Sequence, residues 1–210
     1  MIKKNLKTLL IASVVTLLPM VAGLVLWNKL PEQMPFHWNA AGEVDDWTSK
    51  AFAVFGMPCL LAALEWICAF ATGADPKKQN HSDKTMQLVL WIIPVISVLL
   101  HAFVYSSALG KGLEIEVTMP VFFGLLFAII GNYLPKGKQN YTIGIRIPWT
   151  LNSEENWNRT HRFAGRLWVV GGLVIIATSF LGNFWIFVGI TFLMAMVPII
   201  YSYILHRKGV

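Results

Sequence analysis

Six apolar runs, at residues 7–28, 52–72, 87–109, 117–133, 164–181 and 184–205, alternate with polar segments along the chain. Each holds about 17 to 23 residues, enough for a helix rising 1.5 Å per residue to cross a hydrocarbon layer of roughly 30 Å. Lipid offers no hydrogen-bond partner to bare backbone, and no ten-residue alternation of apolar and polar positions suggests a barrel. The pattern therefore predicts an all-α, polytopic membrane protein with six transmembrane helices, folded as one integral membrane domain over 1–210. The first run follows Lys3, Lys4 and Lys7 as a signal peptide would, but it ends in Trp27, Asn28 and Lys29 without a small-residue cleavage site, so it is read as a retained anchor.

Between the runs, only two polar segments are long enough to be sites, 30–50 and 134–163. The stretch 73–85 carries Pro76, charges and amides without apolar periodicity and reads as a solvated linker. A short turn is expected around residues 110–116. In the segment 30–50, two prolines enforce extended backbone and Gly42 marks a turn, with Met34, Phe36, Trp38, Val44 and Trp47 around it; this predicts a short β-hairpin-like cap on the membrane surface. In the other segment, Pro148 ends any regular pairing, and Thr150, Asn152 or Ser153 can cap a helix whose first turn holds Glu154 and Glu155. That helix should run on into the fifth span, leaving Trp149 and Trp157 at headgroup depth and Arg159, Arg162 and Arg166 toward phosphates or water.

Composition agrees with burial in lipid. Hydrophobic residues make up 56% of the chain and charged residues 13%, with a mean hydropathy of +0.58, whereas soluble domains carry about 25% charged residues. Charge then orients the bundle. With both termini in the cytoplasm, fourteen of the 17 lysines and arginines fall on the inner side and only Lys29, Lys50 and Lys111 on the outer. The segment 30–50 is then the outer loop and 134–163 the inner loop. The net charge of +6 thus reports topology, and direct nucleic-acid binding is not expected.

The chemistry available is that of binding surfaces. The outer segment groups His37, Asn39, Glu43, Asp45 and Asp46 in an acidic patch suited to a cationic peptide or, alternatively, a divalent ion, or else serving only as an amphipathic cap that satisfies its own turns. Cys59 and Cys68 sit nine residues apart on one expected helix, about 13 Å along its axis, too far for a disulfide, and have no zinc-like spacing. No GxSxG, no HExxH and no paired intramembrane aspartates are present, so no catalytic, metal or cofactor site is expected. Inside the spans, Glu65 and His101 are the ionisable groups; they lie about 21 Å and 12 Å below the outer boundary, a mismatch that disfavours a direct pair. Glu65 is expected to cluster with Asn132 or the inner loop, and His101 to bond serine, threonine or backbone of a neighbouring helix. Gly165, Gly171 and Gly172 should permit close helix approach, and Pro94 and Pro198 should kink their spans.

Both loops carry recognisable motifs. The outer PFHWNAAGEVDDWTSK resembles a domain of unknown function typified by P-x-H-x-N-x-x-G-x-x-D-x-W-x-S-K, and the inner IGIRIPWTLNSEENWNRTHRFAGR resembles the SdpI family. The resemblance maps onto Pro35, His37, Asn39, Gly42, Asp46, Trp47, Ser49 and Lys50 outside, and onto Gly144, Arg146, Pro148, Trp149, Thr150, Leu151, Trp157 and His161 inside. It implies a multi-pass protein of the bacterial plasma membrane that gives immunity to a secreted toxic peptide. It also implies a signalling role in which a cytoplasmic repressor is held at the membrane. On that reading Trp38 joins the toxin-facing outer residues, while Arg159 and Arg162 join the inner partner-facing set of tryptophans and arginines, residue types enriched at binding hot spots. The remaining alternative is a small transporter or proton-linked exporter that uses Glu65.

Overall fold

The computed structural model describes residues 2–111 and 114–210. Gly112 and Leu113, inside the turn expected around 110–116, lie outside the described residues. Among the described residues, six helices are long and apolar enough to cross a membrane, and the protein is a multi-pass membrane protein. In chain order the elements are α1 (Ile2–Val25), β1 (Gln33–Trp38), β2 (Val44–Ser49), α2 (Met57–Gly73), α3 (Asp83–Ala108), α4 (Ile115–Tyr133), α5 (Pro148–Asn152), α6 (Glu154–Ser179) and α7 (Phe184–Arg207). A π-helical turn, Phe52–Gly56, leads into α2, and short 3-10 turns occupy Lys78–Asn80 and Leu134–Lys136.

The chain divides into two compact units. The first comprises residues 1–74 and 86–114; the second comprises 75–85 and 115–210. In the first, β1 and β2 pair antiparallel with a bulge around His37, as the prolines and the turn at Gly42 predict. The hairpin is seated by its buried side: Met34 is fully buried and packs with Leu30, Ala53, Val54, Val104 and Tyr105, and Trp38 meets Phe103 edge-on at 4.9 Å. Lys50 closes the hairpin at its base. Its ammonium donates to Glu32 Oε1 at 2.8 Å and to the Trp27 carbonyl at 3.2 Å, and it stands 5.0 Å above the Trp27 ring.

Glu65 is tied differently from the expectation. Its carboxylate accepts from Thr16 Oγ1 at 2.7 Å and Ser13 Oγ at 3.3 Å, both on α1, in place of a cluster with Asn132. The two hydroxyls also lean on their own helix carbonyls, Ala12 and Leu9, and Trp66 Nε1 donates to Ser13, so the partners of Glu65 are uncharged hydroxyls of α1. Serine and threonine at i and i+3 on α1 face α2 together, a spacing that carries this tie. His101 Nδ1 donates to the Ser97 carbonyl of its own helix at 2.7 Å, and the ring also lies against the Ala53 backbone of the segment leading into α2.

In the second unit, α4 and α6 approach so closely that side chains are excluded between them. A Cβ on Gly124 would stand 2.7 Å from the Gly172 carbonyl, and one on Gly131 would stand 2.9 Å from that of Gly165. Gly165 and Gly172 were legible as small positions; Gly124 and Gly131 complete the pair on α4. The helix of the fifth span begins at Glu154, with Ser153 accepting from the Asn156 amide as its cap.

Candidate functional site

Within the second unit, the segment 137–161 and the short loop 75–82 form one hydrogen-bonded assembly. Asp75 is its hub. Its residue is 2% exposed, and its carboxylate accepts from the Lys77 amide (2.7 Å), the Tyr141 amide (2.9 Å), Thr142 Oγ1 (2.8 Å) and His81 Nε2 (3.2 Å). Burial alone would raise the carboxyl's pKa, but these donors outweigh it and hold Asp75 below the usual carboxylate range. The loop 75–82 is thus a packed part of the assembly, and the solvated linker expected from its polar composition is corrected. Polar residues there face a second polar segment that is distant in sequence, which periodicity cannot reveal.

Around the hub, other amides and one ammonium stitch the same two segments. Lys77 Nζ donates to Gln139 Oε1, and Asn80 Nδ2 to the Gln139 carbonyl at 2.6 Å. Gln139 Nε2 in turn donates to the Thr150 and Leu151 carbonyls, each at 2.9 Å, and so caps the end of α5. Asn140 Oδ1 accepts from the Thr142 and Ile143 amides at 2.9 and 2.7 Å, turning the chain toward Gly144.

The motif from Gly144 to His161 is then a knot whose rings lie inside. Trp157 is fully buried, donates from Nε1 to the Gly137 carbonyl at 2.8 Å, and stacks on His161 with centroids 3.9 Å apart. His161 Nδ1 donates to the Trp157 carbonyl at 2.9 Å, so Nε2 is the acceptor for the Ile145 amide at 3.0 Å. Gly144 has φ 115, and a Cβ there would collide with His161 Nε2 and lie 3.3 Å from Trp157. Thr150, also fully buried, accepts from the Ile147 amide at 3.1 Å and reaches the Ile145 carbonyl at 2.8 Å. Thr150, Trp157 and His161 are therefore internal braces, correcting their expected place on a partner-facing surface. Asn156, which sequence reasoning passed over, accepts from Ser202 Oγ at 2.5 Å and Thr160 Oγ1 at 3.1 Å and donates to the Ser202 and Val210 carbonyls, fixing α6 to α7.

What the knot presents outward is cationic. Arg146, Pro148, Arg159 and Arg162 are exposed. Arg146 spends one guanidinium nitrogen on the Tyr141 carbonyl at 2.7 Å, which holds it in place with donors to spare, and Arg159 pairs with Glu155 at 2.5 Å. Trp149 is partly covered, lying against Tyr203 and parallel to His206. Asn132 is exposed and borders a groove of about 260 Å³ with Arg166.

On the hairpin of the first unit, the motif residues divide in the same way. Pro35 is buried, and Asn39 shapes the turn, its Oδ1 accepting from the Ala41 and Glu43 amides at 2.9 and 3.0 Å while Gly42 takes φ 76. His37 pairs with Asp45 at 2.6 Å in the open, Asp46 accepts from the Trp47 amide, and Trp47 and Phe36 are 52% and 44% exposed. The outward face is therefore acidic with two large rings beside it. Among the described residues no group of three or more histidines, cysteines or carboxylates is arranged for a metal ion.

Comparisons with known proteins follow this division. Residues 136–202 match the model of the SdpI/YfhL protein family, and residues 14–62 match a domain of unknown function, DUF1648. The chain is 26% identical over 182 residues to "Immunity protein SdpI" of Bacillus subtilis (strain 168), spanning 85% of this chain and 82% of that protein. No solved structure matches the chain at a significant level. The first match covers the knot with α6 and most of α7, the second covers the hairpin with the later part of α1 and the start of α2, and in these two stretches the chain is similar to the SdpI/YfhL protein family and to DUF1648 respectively.

Proposed function

We propose that this protein protects a bacterial cell from a secreted toxic peptide, acting at the plasma membrane by binding and without catalysis. The observation that carries the reading is the likeness to an immunity protein over 85% of this chain, a stretch long enough to take in three spans together with at least one of the two polar motifs that the family matches single out. The hairpin supports it. An acidic face with His37, Asp45 and Asp46 beside the exposed rings of Phe36 and Trp47 complements a cationic, amphipathic peptide arriving from outside. Trp38, Asn39, Gly42, Pro35 and Lys50 then serve by holding that face in shape.

The inner knot supports a second contact, with a cytoplasmic partner such as a transcriptional repressor. Arg146, Pro148, Arg159 and Arg162 form its exposed surface, while Gly144, Trp149, Thr150, Trp157 and His161 set their positions. Signalling and protection are separable by experiment. A Bacillus subtilis strain deleted for its SdpI gene is given this chain and grown against its wild-type parent. Rescue is expected, with loss on replacing both Asp45 and Asp46 by Lys, and with rescue retained by Arg146→Ala. Failure of the folded, membrane-inserted wild-type chain to rescue would refute protection against that peptide.

A further inference from the structure

At the end of the second unit that carries the knot, an open groove of about 260 Å³ runs along the seam of α4 and α6, lined by Asn132 and Pro135 on one side and by Arg166, Val169 and Val170 on the other. Gly131 and Gly165, where the two helices touch, add no side chain to fill it. Its two polar side chains are free. Arg166 and Asn132 are both exposed, and among the described residues neither has a hydrogen-bond or ion-pair partner for its side chain. We propose that this groove binds the phosphodiester of an anionic phospholipid, with Arg166 and Asn132 donating to its oxygens while an acyl chain lies along Val169 and Val170.

The ligand follows from the donors and walls of the groove. A guanidinium offers a fork of N–H donors and the asparagine amide two more, so the set calls for an anion with several acceptor oxygens. Arginine meets phosphate bidentately, which fixes orientation as well as charge. Depth then decides between lipid and solute. Arg166 is thirteen residues before the end of α6 at Ser179, roughly 20 Å along the axis, and Asn132 is seventeen residues after the start of α4 at Ile115, roughly 26 Å. Both fall within a hydrocarbon layer of roughly 30 Å and toward its edge, where a cationic pocket between helices holds an anionic headgroup. Val170, one turn beyond Arg166 and 59% exposed, carries the apolar wall toward the bilayer centre. Among the described residues no carboxylate lines the groove to receive the ammonium of phosphatidylethanolamine, so a headgroup of net negative charge, such as phosphatidylglycerol, fits better. Pro135 stands two residues before Gly137, whose carbonyl holds Trp157, which places the bound headgroup at the root of the knot.

The test is native mass spectrometry of the full chain in detergent, equilibrated with equal amounts of phosphatidylglycerol and phosphatidylethanolamine of matched acyl chains. The wild type should keep one phosphatidylglycerol under activation that strips the other lipid. Arg166→Ala should lower that retention by about tenfold, the weight of one hydrogen bond to a charged group, and Asn132→Ala should lower it less. Both variants should keep the wild-type thermal midpoint, because neither side chain braces the fold. Lys138→Ala removes an equal charge from an exposed position outside the groove and should retain the lipid as the wild type does. Equal retention of the two lipids by the wild type, or undiminished retention in Arg166→Ala, would overturn the site. So would an equal loss in Lys138→Ala, which would assign the preference to net charge. Displacement of the lipid by inorganic phosphate would give the groove to a soluble anion, and stronger retention of oleate would give it to a fatty acid; either result refutes the phospholipid.

Discussion

Gly144 and Asp75 illustrate how single residues hold the inner assembly. At Gly144 the backbone passes over the His161 ring at φ 115, so any side chain meets both a strained conformation and an occupied space. Gly144→Ala is expected to destabilise the protein by about 1–3 kcal/mol, read as a lowered thermal midpoint in detergent. An unchanged midpoint would mean that the knot yields easily. Asp75 gives a pH dependence with a definite sign. Since its folded pKa lies below the ordinary value of 3.8, its bonding stabilises the assembly above that pH and is lost as pH falls through the folded value. Protection of the Tyr141 amide against hydrogen exchange, relative to the intrinsic rate, should therefore fall in acid in the wild type. In Asp75→Asn it should be weaker from the start and flat across the same range.

At the scale of elements, the tie from α2 to α1 through Glu65 is made by two hydroxyls. Glutamine keeps an acceptor for Thr16, so Glu65→Gln should cost no more than about 1–2 kcal/mol, the range for hydrogen bonds between membrane helices, and leave protection intact. Protection abolished in a folded, normally inserted Glu65→Gln would favour the proton-linked exporter instead. The six spans and the hairpin were legible in the sequence because each rests on local rules: apolar length for the helices, proline and glycine punctuation for the turn. The partners of Glu65 and Asp75 were not. Nothing local ties Glu65 to Thr16 or Asp75 to Thr142, and depth counting along helices overlooked that a serine and a threonine on the first span could meet the acid. The fate of Trp157 misled for a related reason. Tryptophan beside arginine at a span's end usually reports an interfacial anchor, but here the indole meets a carbonyl at Gly137 and a ring at His161 that only the folded loop supplies.

For the whole molecule, the arrangement of lysines and arginines sets the topology, and it gives a direct check. With the native cysteines Cys59 and Cys68 replaced, a cysteine at the exposed position Ser49 should react with a membrane-impermeant maleimide in intact cells, and one at exposed Asn152 only after permeabilisation. Reaction of both in intact cells would undo the assignment of hairpin and knot to opposite sides. The Asp75 hub also bears on how the molecule is made. Its donor Thr142 follows it by 67 residues, so at roughly 5–20 residues per second the ribosome delivers that partner about 3 to 13 s later. During this interval the newly inserted helical hairpin of α2 and α3 carries at its connecting loop a carboxylate with only its local donors, Lys77 and His81, and without the Tyr141 amide and the Thr142 hydroxyl. Biogenesis of the first three spans is consequently provisional until the fourth has emerged and the chain beyond it has returned to lock the loop.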